Sequence, residues 1–311
     1  MKKRRTIVFT DMMEQWGDDS SALLLLLRSP DVDIRGIVAE SGNEWVDDVD
    51  RHVREFLRLA NREDIPVLTG LPKEAHRQRY EQVNRGSTAD SGYFFGAFRN
   101  ADVDWSSDLT ELDALARERV ARLVDAINLN DDNVTLVVLS PCTTLAAALQ
   151  AGVDQRVISK VYMMGGCFDV PGNSSSTAEF NIWFDPTAAS AIIGSSLPVT
   201  LVPLDATRGN GIASSYAGTF DASGNRLAGL VADYLRRKQP WVQMWDEVVA
   251  GVMLSQSLIL ERVAGKVNVE IGNAGTVGRT TIVGDGDIEI IKSVDDFRMR
   301  RLFTESVLCA E

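Results

Sequence analysis

Histidine and cysteine are both scarce in this chain. Its 311 residues include two histidines, His52 and His76, and three cysteines. A zinc site with a full set of histidine ligands therefore cannot be built, and the wide spacing of the cysteines suggests neither a disulfide framework nor a thiolate metal site. His52 falls in a helical pattern and His76 lies among charged residues, so surface positions are expected for both.

Long apolar runs and positive charge are lacking as well. The longest strongly apolar stretch, residues 22–27, is far too short to cross a bilayer. The basic start of the chain leads into a strand-like segment instead of the apolar region of a signal sequence. Asp and Glu number 44 against 32 Lys and Arg, a formal net charge of −12, which would repel a phosphate backbone. We expect a cytoplasmic protein with no membrane or nucleic-acid partner.

The remaining pattern is typical of a folded α/β protein. Strand-like apolar runs alternate with helical stretches, which predicts a mostly parallel central sheet flanked by helices. Because no internal repeat or Pro/Ser linker is found, residues 1–311 are expected to form a single domain. Strands are predicted at 6–9, 34–39, 66–68, 135–139, 161–164 and 199–202, with β-like pieces at 267–271, 280–283 and 288–291. Helices are predicted at 19–27, 49–60, 112–127, 143–149, 187–193, 227–237, 247–260 and 295–307, and a long polar loop at about 71–108 is a candidate active-site lid.

Carboxylates are concentrated directly after the first predicted strand. Asp11 follows this strand, and Glu14, Asp18 and Asp19 come before or at the start of the next helix. In a parallel sheet, ligands bind outside the carboxyl ends of the strands. Carboxylates this close repel one another unless a cation joins them, and oxygen ligands in this number suit calcium or magnesium. The alternative is that Asp18 and Asp19 only begin the helix while the other two acids face solvent.

Polar segments follow later strands in the same way. They are Ser41-Gly42-Asn43, Ser140-Pro141-Cys142-Thr143-Thr144, Met164-Gly165-Gly166 with Asn173 beyond it, Ala178-Glu179-Phe180-Asn181, Asp185-Pro186 and Trp245-Asp246. Buried Asn and Glu side chains placed together would suit vicinal hydroxyls, although polar residues on a surface loop would give the same pattern. Trp245 would stack well on a planar heteroaromatic ring, or would belong to the core or an interface.

These segments, together with Ile7-Val8-Phe9-Thr10-Asp11 and Asp18-Asp19, resemble in this order the inosine-uridine-preferring nucleoside hydrolase family. Members of that family cleave the N-glycosidic bond of ribonucleosides and have one α/β domain, usually assembled into homodimers or homotetramers. The resemblance implies that Asp11 is the general base and that a calcium ion is held by the carboxylates of Asp11, Asp19 and Asp246 and the backbone carbonyl of Thr143. It implies substrate contacts from Asp18, Asn43, Met164, Asn173, Glu179, Phe180, Asn181 and Trp245.

Departures from the family's usual pattern bear on the base and on the substrate. The insert at residues 12–17 lengthens the spacing between Asp11 and the following acidic pair, so Glu14 competes with Asp11 as the base. Many pyrimidine-accepting members have a histidine, an acid for the leaving base, where this chain has Trp245, and purine-specific members place a tryptophan there. Thr88 occupies the apparent position of the histidine in the family's flexible loop. The resemblance therefore implies a calcium-dependent, purine-preferring nucleoside hydrolase, with two alternatives: an N-glycoside hydrolase for a modified nucleoside, or a non-catalytic homologue that binds calcium and ribose.

Overall fold

A computed structural model describes most of the chain. It defines residues 3–13, 16–72, 112–130, 133–238, 240–272 and 275–309. The predicted lid loop falls outside these ranges except for residues 71 and 72. Glu14, His76 and Thr88 also lie outside the described residues.

Short apolar segments form the strands of a large sheet. In the described part of the chain the strands are β1 (Arg4–Thr10), β2 (Val32–Ala39), β3 (Val67–Thr69), β4 (Val134–Val138), β5 (Ile158–Met164), β6 (Val199–Val202), β7 (Gly211–Ala213), β8 (Trp241–Gln243), β9 (Ile259–Val269) and β10 (Thr280–Val294). The large sheet has the order β3-β2-β1-β4-β5-β6-β10-β9, and β7 pairs separately with β8. Its neighbours are parallel except β9 and β10. The predicted mostly parallel sheet is confirmed.

Helices cover both faces of this sheet. They are α1 (Asp18–Arg28), α2 (Val46–Leu59), α3 (Ala114–Asn128), α4 (Thr143–Gln150), α5 (Phe180–Phe184), α6 (Pro186–Ile193), α7 (Leu204–Thr207), α8 (Ala217–Ala222), α9 (Arg226–Arg237), α10 (Asp246–Leu254) and α11 (Asp296–Leu308). Val8 of β1 lies in one buried cluster with the leucines of α1, whereas Ile7 and Phe9 lie in a second with Leu145 of α4. Because successive strand side chains point to opposite faces, an apolar strand of this kind needs helices on both sides.

The last third of the chain differs from the prediction. The helix predicted at 247–260 ends at Leu254, because Ser255 adopts an extended backbone and β9 begins at Ile259. The three predicted β-like pieces are parts of the two long paired strands β9 and β10. Residues 260–264 of β9 are exposed, so this stretch lacks the buried alternation by which a strand is recognised in a sequence.

Helix α1 begins at Asp18 with Gly17 as its N-cap, so the two aspartates occupy the first helical turn rather than the cap position. Among the described residues, no helix combines the length and the apolar character that a membrane span requires.

Candidate active site

The carboxyl ends of β1 and β4 mark the point at which the strand order reverses. From β1 the chain continues through β2 and β3 to one edge of the sheet, and from β4 it continues through β5 and β6 in the other direction. Open α/β sheets bind ligands in the crevice at such a point. Asp11 directly follows β1, and Thr143 begins the helix after β4, so the fold brings two of the predicted site residues to this crevice.

The carboxylate of Asp11 is buried against the loop that follows β2. Asp11 is 1% exposed, and the backbone N–H of Asn43 donates to its Oδ2 at 2.7 Å. At Gly42, a Cβ would lie 2.7 Å from Asp11 Cγ and 2.8 Å from Asp11 Cβ. Burial raises the pKa of Asp11 to about 8, and repulsion from Asp18 and Glu179 adds to the rise. The loop after β2 thus fixes the position of Asp11 through its backbone.

Three further carboxylates approach one another next to Asp11. One oxygen from each of Asp18, Asp19 and Asp246 lies within 4.8 Å of the others, which joins the start of α1 to the start of α10. Asp19 and Asp246 are buried, and Asp18 is half-buried. Asp19 accepts hydrogen bonds from the Thr10 hydroxyl and from the backbone N–H of Asp11. Oxygen donors in this arrangement could hold a divalent cation.

Ionising these carboxyls without a counter-charge is unfavourable. Burial raises the pKa of Asp19 well above its ordinary value, and Asp11 and Asp18 add like-charge repulsion. Burial raises the pKa of Asp246 in the same way, with repulsion from Asp19 as the next cause. Glu247 is a buried acid beside Asp18, and burial raises its pKa as well. A cation among these groups would favour their ionised forms.

A second polar group lies beyond β5 at the short helix α5. Glu179 is 1% exposed, and its carboxylate accepts the backbone N–H groups of Asn181 at 2.9 Å, Gly166 at 3.1 Å and Ile182 at 3.2 Å. Burial raises the pKa of Glu179 to about 7. The Glu179 carboxylate adds like-charge repulsion to Asp11, which makes it less favourable for both acids to be ionised without a cation.

The predicted substrate-binding residues around Glu179 are tied to one another. The side-chain nitrogen of Asn181 donates to the carbonyls of Leu139 and Met164, each at 3.2 Å. The Oδ1 atom of Asn173, an exposed residue, accepts the N–H of Phe180 at 2.8 Å. Phe180 is buried among aromatic rings. These contacts hold α5 in place at the end of β5.

Thr143 and Thr144 are anchored by two buried acids, one of which was missed in the sequence. Thr143 Oγ1 donates to Asp185 Oδ2 at 2.7 Å. Glu40, the missed residue, is 0% exposed and accepts two hydrogen bonds from Thr144. Burial raises the pKa of Glu40 to about 8, with repulsion from Asp185 and Asp11 as smaller causes. Its position directly after a buried strand, like that of Asp11 after β1, was a signal that could have identified it.

Trp245 lies at the edge of the acidic cluster. It is half-buried, immediately precedes α10, and donates its backbone N–H to Glu247 Oε2 at 3.2 Å. Because Trp245 is the neighbour of Asp246 in the chain, it lies at the rim of the crevice. An indole there has one part packed on the core and another part accessible.

The surface position predicted for His52 is wrong. His52 is 9% exposed on α2, and its Nδ1 lies 3.4 Å from the carbonyl oxygen of Met12 and 3.3 Å from Glu44 Oε2. Helix α2 turns this face toward the segment after β1, so the histidine is buried with polar partners instead of reaching solvent.

Comparison with known proteins identifies the family. The family model described as inosine-uridine preferring nucleoside hydrolase matches residues 6–301. The chain belongs to this family. Its similarity to the pyrimidine-specific ribonucleoside hydrolase RihA of Enterobacter sp. (strain 638) is 33% identity over 222 residues, which cover 70% of this chain and 66% of that protein. The aligned part thus spans about two thirds of the length of this nucleoside hydrolase.

Solved structures of nucleoside hydrolases share the fold. An inosine-guanosine nucleoside hydrolase (IG-NH) superimposes with a TM-score of 0.79 at 20% sequence identity, over 99% of both chains. A purine-preferring ribonucleoside hydrolase from Gardnerella vaginalis superimposes with a TM-score of 0.74 at 21% identity, over 98% of both chains. The α/β architecture predicted from the sequence is therefore that of the nucleoside hydrolases.

Proposed function

We propose that the protein hydrolyses the N-glycosidic bond of ribonucleosides with the help of a calcium ion, releasing free base and ribose. The observation that carries this proposal is the convergence of Asp18, Asp19 and Asp246, with oxygen atoms within 4.8 Å of one another, beside the buried Asp11 at the point where the strand order reverses. Family membership supplies the reaction class, and these residues supply groups suited to it.

The donor set fits calcium. Carboxylate and carbonyl oxygens are the ligands that calcium prefers, and repulsion among buried carboxylates favours a cation between them. We propose Asp11, Asp19, Asp246 and the backbone carbonyl of Thr143 as the ligands. The short distances among the carboxylates add Asp18 to the candidates. When bound, calcium would orient a water molecule and lower its pKa.

Asp11 is the proposed general base. Its Oδ2 accepts the backbone N–H of Asn43, which fixes the orientation of the carboxylate that would take a proton from the attacking water. Burial raises the pKa of Asp11, and a bound cation would lower it again, so Asp11 would be ionised and able to take a proton at neutral pH. The water, having lost its proton to Asp11, would attack the anomeric carbon as the bond to the nucleobase breaks, and the nucleobase would leave with the bonding electron pair and take up a proton from solvent. Glu14, the competing candidate, lies outside the described residues.

Ribose hydroxyls are the proposed partners of the polar groups on both sides of Asp11. Asp18, Asn43, Asn173, Glu179 and Asn181 would bind them, with Met164 and Phe180 packing nearby. Because the side-chain nitrogen of Asn181 is used by backbone carbonyls, its Oδ1 would be the atom that accepts from a hydroxyl. Contacts that tighten as the sugar ring flattens would stabilise the transition state more than the substrate.

Two observations favour different nucleobases in the substrate. Trp245, half-buried beside Asp246, favours purines, because a large ring system stacks well on an indole and stacking can help it leave. The 33% identity to a pyrimidine-specific hydrolase favours pyrimidines. We propose the purine preference and keep pyrimidine nucleosides as the second candidate substrate class.

Replacing Trp245 by Ala is expected to lower kcat/KM for inosine by roughly tenfold or more, since an aromatic stack on a base is worth about 1–3 kcal/mol. Uridine turnover should fall less, because a pyrimidine offers a smaller stacking area. Steady-state kinetics with both nucleosides measure this difference, with Trp245→Phe as the matched control that keeps an aromatic ring. An equal loss for both substrates in Trp245→Ala would contradict the stacking role.

Replacing Gly42 by Ala is expected to reduce hydrolysis by roughly 100-fold, because the new methyl group would overlap the Asp11 carboxylate and displace the base. Gly229→Ala is the matched control, since a Cβ at that helical position meets no atom within 4 Å. Initial rates and thermal unfolding of both variants would be compared. A Gly42→Ala enzyme as active as the Gly229→Ala enzyme would contradict the position assigned to Asp11.

The proposed reaction can be tested with a panel of nucleosides. Purified protein is incubated in calcium with inosine, adenosine, guanosine, uridine and cytidine, and free base and ribose are measured. Faster release from the purines supports the proposal, and faster release from the pyrimidines selects the second candidate. Tight ribose binding with no release would indicate a non-catalytic homologue. Release only from a panel of modified nucleosides would indicate a specialised substrate. We also propose a homodimer or homotetramer, as in other members of the family, and light scattering on the same sample tests this assembly.

A further inference from the structure

Glu40 makes an unusual set of contacts beside the proposed calcium site. It follows β2 directly and is 0% exposed. Its Oε1 accepts the backbone N–H of Thr144 at 3.1 Å, and its Oε2 accepts the Thr144 hydroxyl at 2.6 Å. Both oxygens of one buried carboxylate are therefore directed at a single residue on another element of the fold.

The N–H that Glu40 accepts belongs to the peptide group whose carbonyl comes from Thr143. In a trans peptide the N–H and C=O point in opposite directions within one rigid plane, so fixing the N–H of Thr144 also fixes the direction of the Thr143 carbonyl. The side chain of Thr143 is fixed separately by Asp185 at 2.7 Å. The peptide is thus held by an acid at its N–H and by a second acid through the Thr143 side chain.

A cation bound nearby would favour the ionised form of the Glu40 carboxyl, and a negatively charged acceptor on the N–H also changes the peptide electronically. Hydrogen bonds in series polarise one another, and this effect is strongest in a buried, low-dielectric environment. The acceptor shifts electron density within the peptide group onto the carbonyl oxygen. The more negative oxygen is a better ligand for a hard cation. The carboxylate of Glu40 would therefore act on the ligand without touching the ion.

The surrounding network leaves little freedom for this unit to move. Thr144 Oγ1 also accepts the N–H of Leu71 at 2.9 Å, and Ser41 Oγ donates to the carbonyl of Leu71 at 3.1 Å. At Gly70, a Cβ would lie 2.6 Å from Thr144 Oγ1 and 3.1 Å from Glu40 Oε2, so even a methyl group would disturb the pair. The ends of β2 and β3 and the start of α4 are joined by this one pair of side chains.

We propose that Glu40 is a positioning residue that holds and polarises the Thr143–Thr144 peptide so that the Thr143 carbonyl binds calcium. This inference rests on the calcium site of the proposed function. A purely structural role for Glu40, as a tie between β2 and α4, is the competing explanation. Only the positioning role changes the affinity for calcium in a protein that is otherwise folded.

Calcium affinity, measured by titration calorimetry on the whole chain, tests the proposal. Glu40→Gln keeps the size of the side chain and an acceptor for the N–H but removes the charge, and it should weaken calcium binding by about tenfold or more. Thr144→Val keeps the N–H contact but removes the hydroxyl, and its loss should be smaller. Thr144→Ser, which keeps both contacts, should bind like the wild type. Thermal unfolding in chelator shows which variants are folded.

Glu289→Gln is a matched control, because Glu289 also accepts a threonine hydroxyl at 2.6 Å, that of Thr200 between β6 and β10. It should leave calcium affinity unchanged. Unchanged affinity in a folded Glu40→Gln protein would overturn the proposal and leave the calcium site intact. If Glu40→Gln does not fold, Glu40→Asp, whose shorter side chain withdraws the acceptor from the N–H of Thr144, takes its place, and unchanged affinity in that folded variant would overturn the proposal. A wild-type protein that binds no calcium would overturn the calcium site itself, and the role of Glu40 with it.

Discussion

Replacing Asp11 by Asn is expected to lower kcat for nucleoside hydrolysis by at least about 100-fold, the typical contribution of a general base. Asparagine has nearly the same shape and can still accept the N–H of Asn43 that holds Asp11 at 2.7 Å, but it cannot take a proton from water. Because the variant preserves the buried contacts, the loss should appear in kcat more than in the stability of the fold. Initial rates with saturating inosine and calcium measure it.

Glu14 is the other candidate for the general base, so the Glu14→Gln variant is compared with Asp11→Asn. If Asp11 is the base, Glu14→Gln should retain most of the activity that Asp11→Asn loses. Asp154→Asn is a control for the loss of an acidic group, since Asp154 caps a short turn at the amino end of β5, away from the crevice. Full activity in Asp11→Asn together with loss in Glu14→Gln would transfer the role of base to Glu14.

The second large effect concerns stability and pH. In chelator, the protein should become less stable as the pH rises from 5 to 8. Burial raises the pKa of Glu179 to about 7 and that of Glu40 to about 8. In the unfolded chain these carboxyls have their ordinary pKa and lose their protons at lower pH. Between the two pKa values the folded state therefore binds more protons than the unfolded state. Stability falls with pH wherever the folded state binds more protons. We expect a loss of about 5 kcal/mol of unfolding free energy, or roughly 8 °C in the thermal midpoint for a chain of this size.

Calcium should reverse this trend. Its ligands bind best when deprotonated, so added calcium should raise the thermal midpoint more at pH 8 than at pH 5. Glu179→Gln, which replaces one buried acid by a neutral side chain, should show a shallower fall in chelator than the wild type. Arginine partners lower the pKa of other acids, such as Asp64 and Asp154. These acids change protonation below pH 5, so they do not affect the stability between pH 5 and 8. A midpoint in chelator that stays constant or rises between pH 5 and 8 would contradict the burial of these groups.

The parts of the site that depend on local sequence could be predicted. Asp11, Asp18 and Asp19 lie in one strand-to-helix connection, so their proximity follows from a short stretch of chain. Joining Asp246 to them required the family resemblance, because nothing in the local pattern places α10 against α1. The central sheet could be predicted for a similar reason, since each of its buried strands has a strong apolar signal of its own.

The features that were missed depend on contacts between distant elements. The role of Glu40 depends on its contact with Thr144, which is distant in the sequence. The two residues meet only because β2, β1 and β4 are neighbours in the sheet. His52 is a polar residue on a helix, and the sequence does not say which polar residues turn inward toward Glu44. Only pieces of the long β9–β10 hairpin, at 267–271, 280–283 and 288–291, were predicted, because much of the hairpin is exposed and an exposed strand lacks the usual apolar signal.

We propose that this chain cleaves nucleosides by a calcium-dependent attack of water. The most direct test is the release of free ribose from inosine at neutral pH by one preparation of the wild-type protein, first in chelator and then after calcium is restored in excess. We expect no release in chelator and full recovery with calcium. Equal rates in both conditions would contradict the proposed role of the carboxylate cluster, and no release in either, with calcium bound, would contradict hydrolysis of this nucleoside.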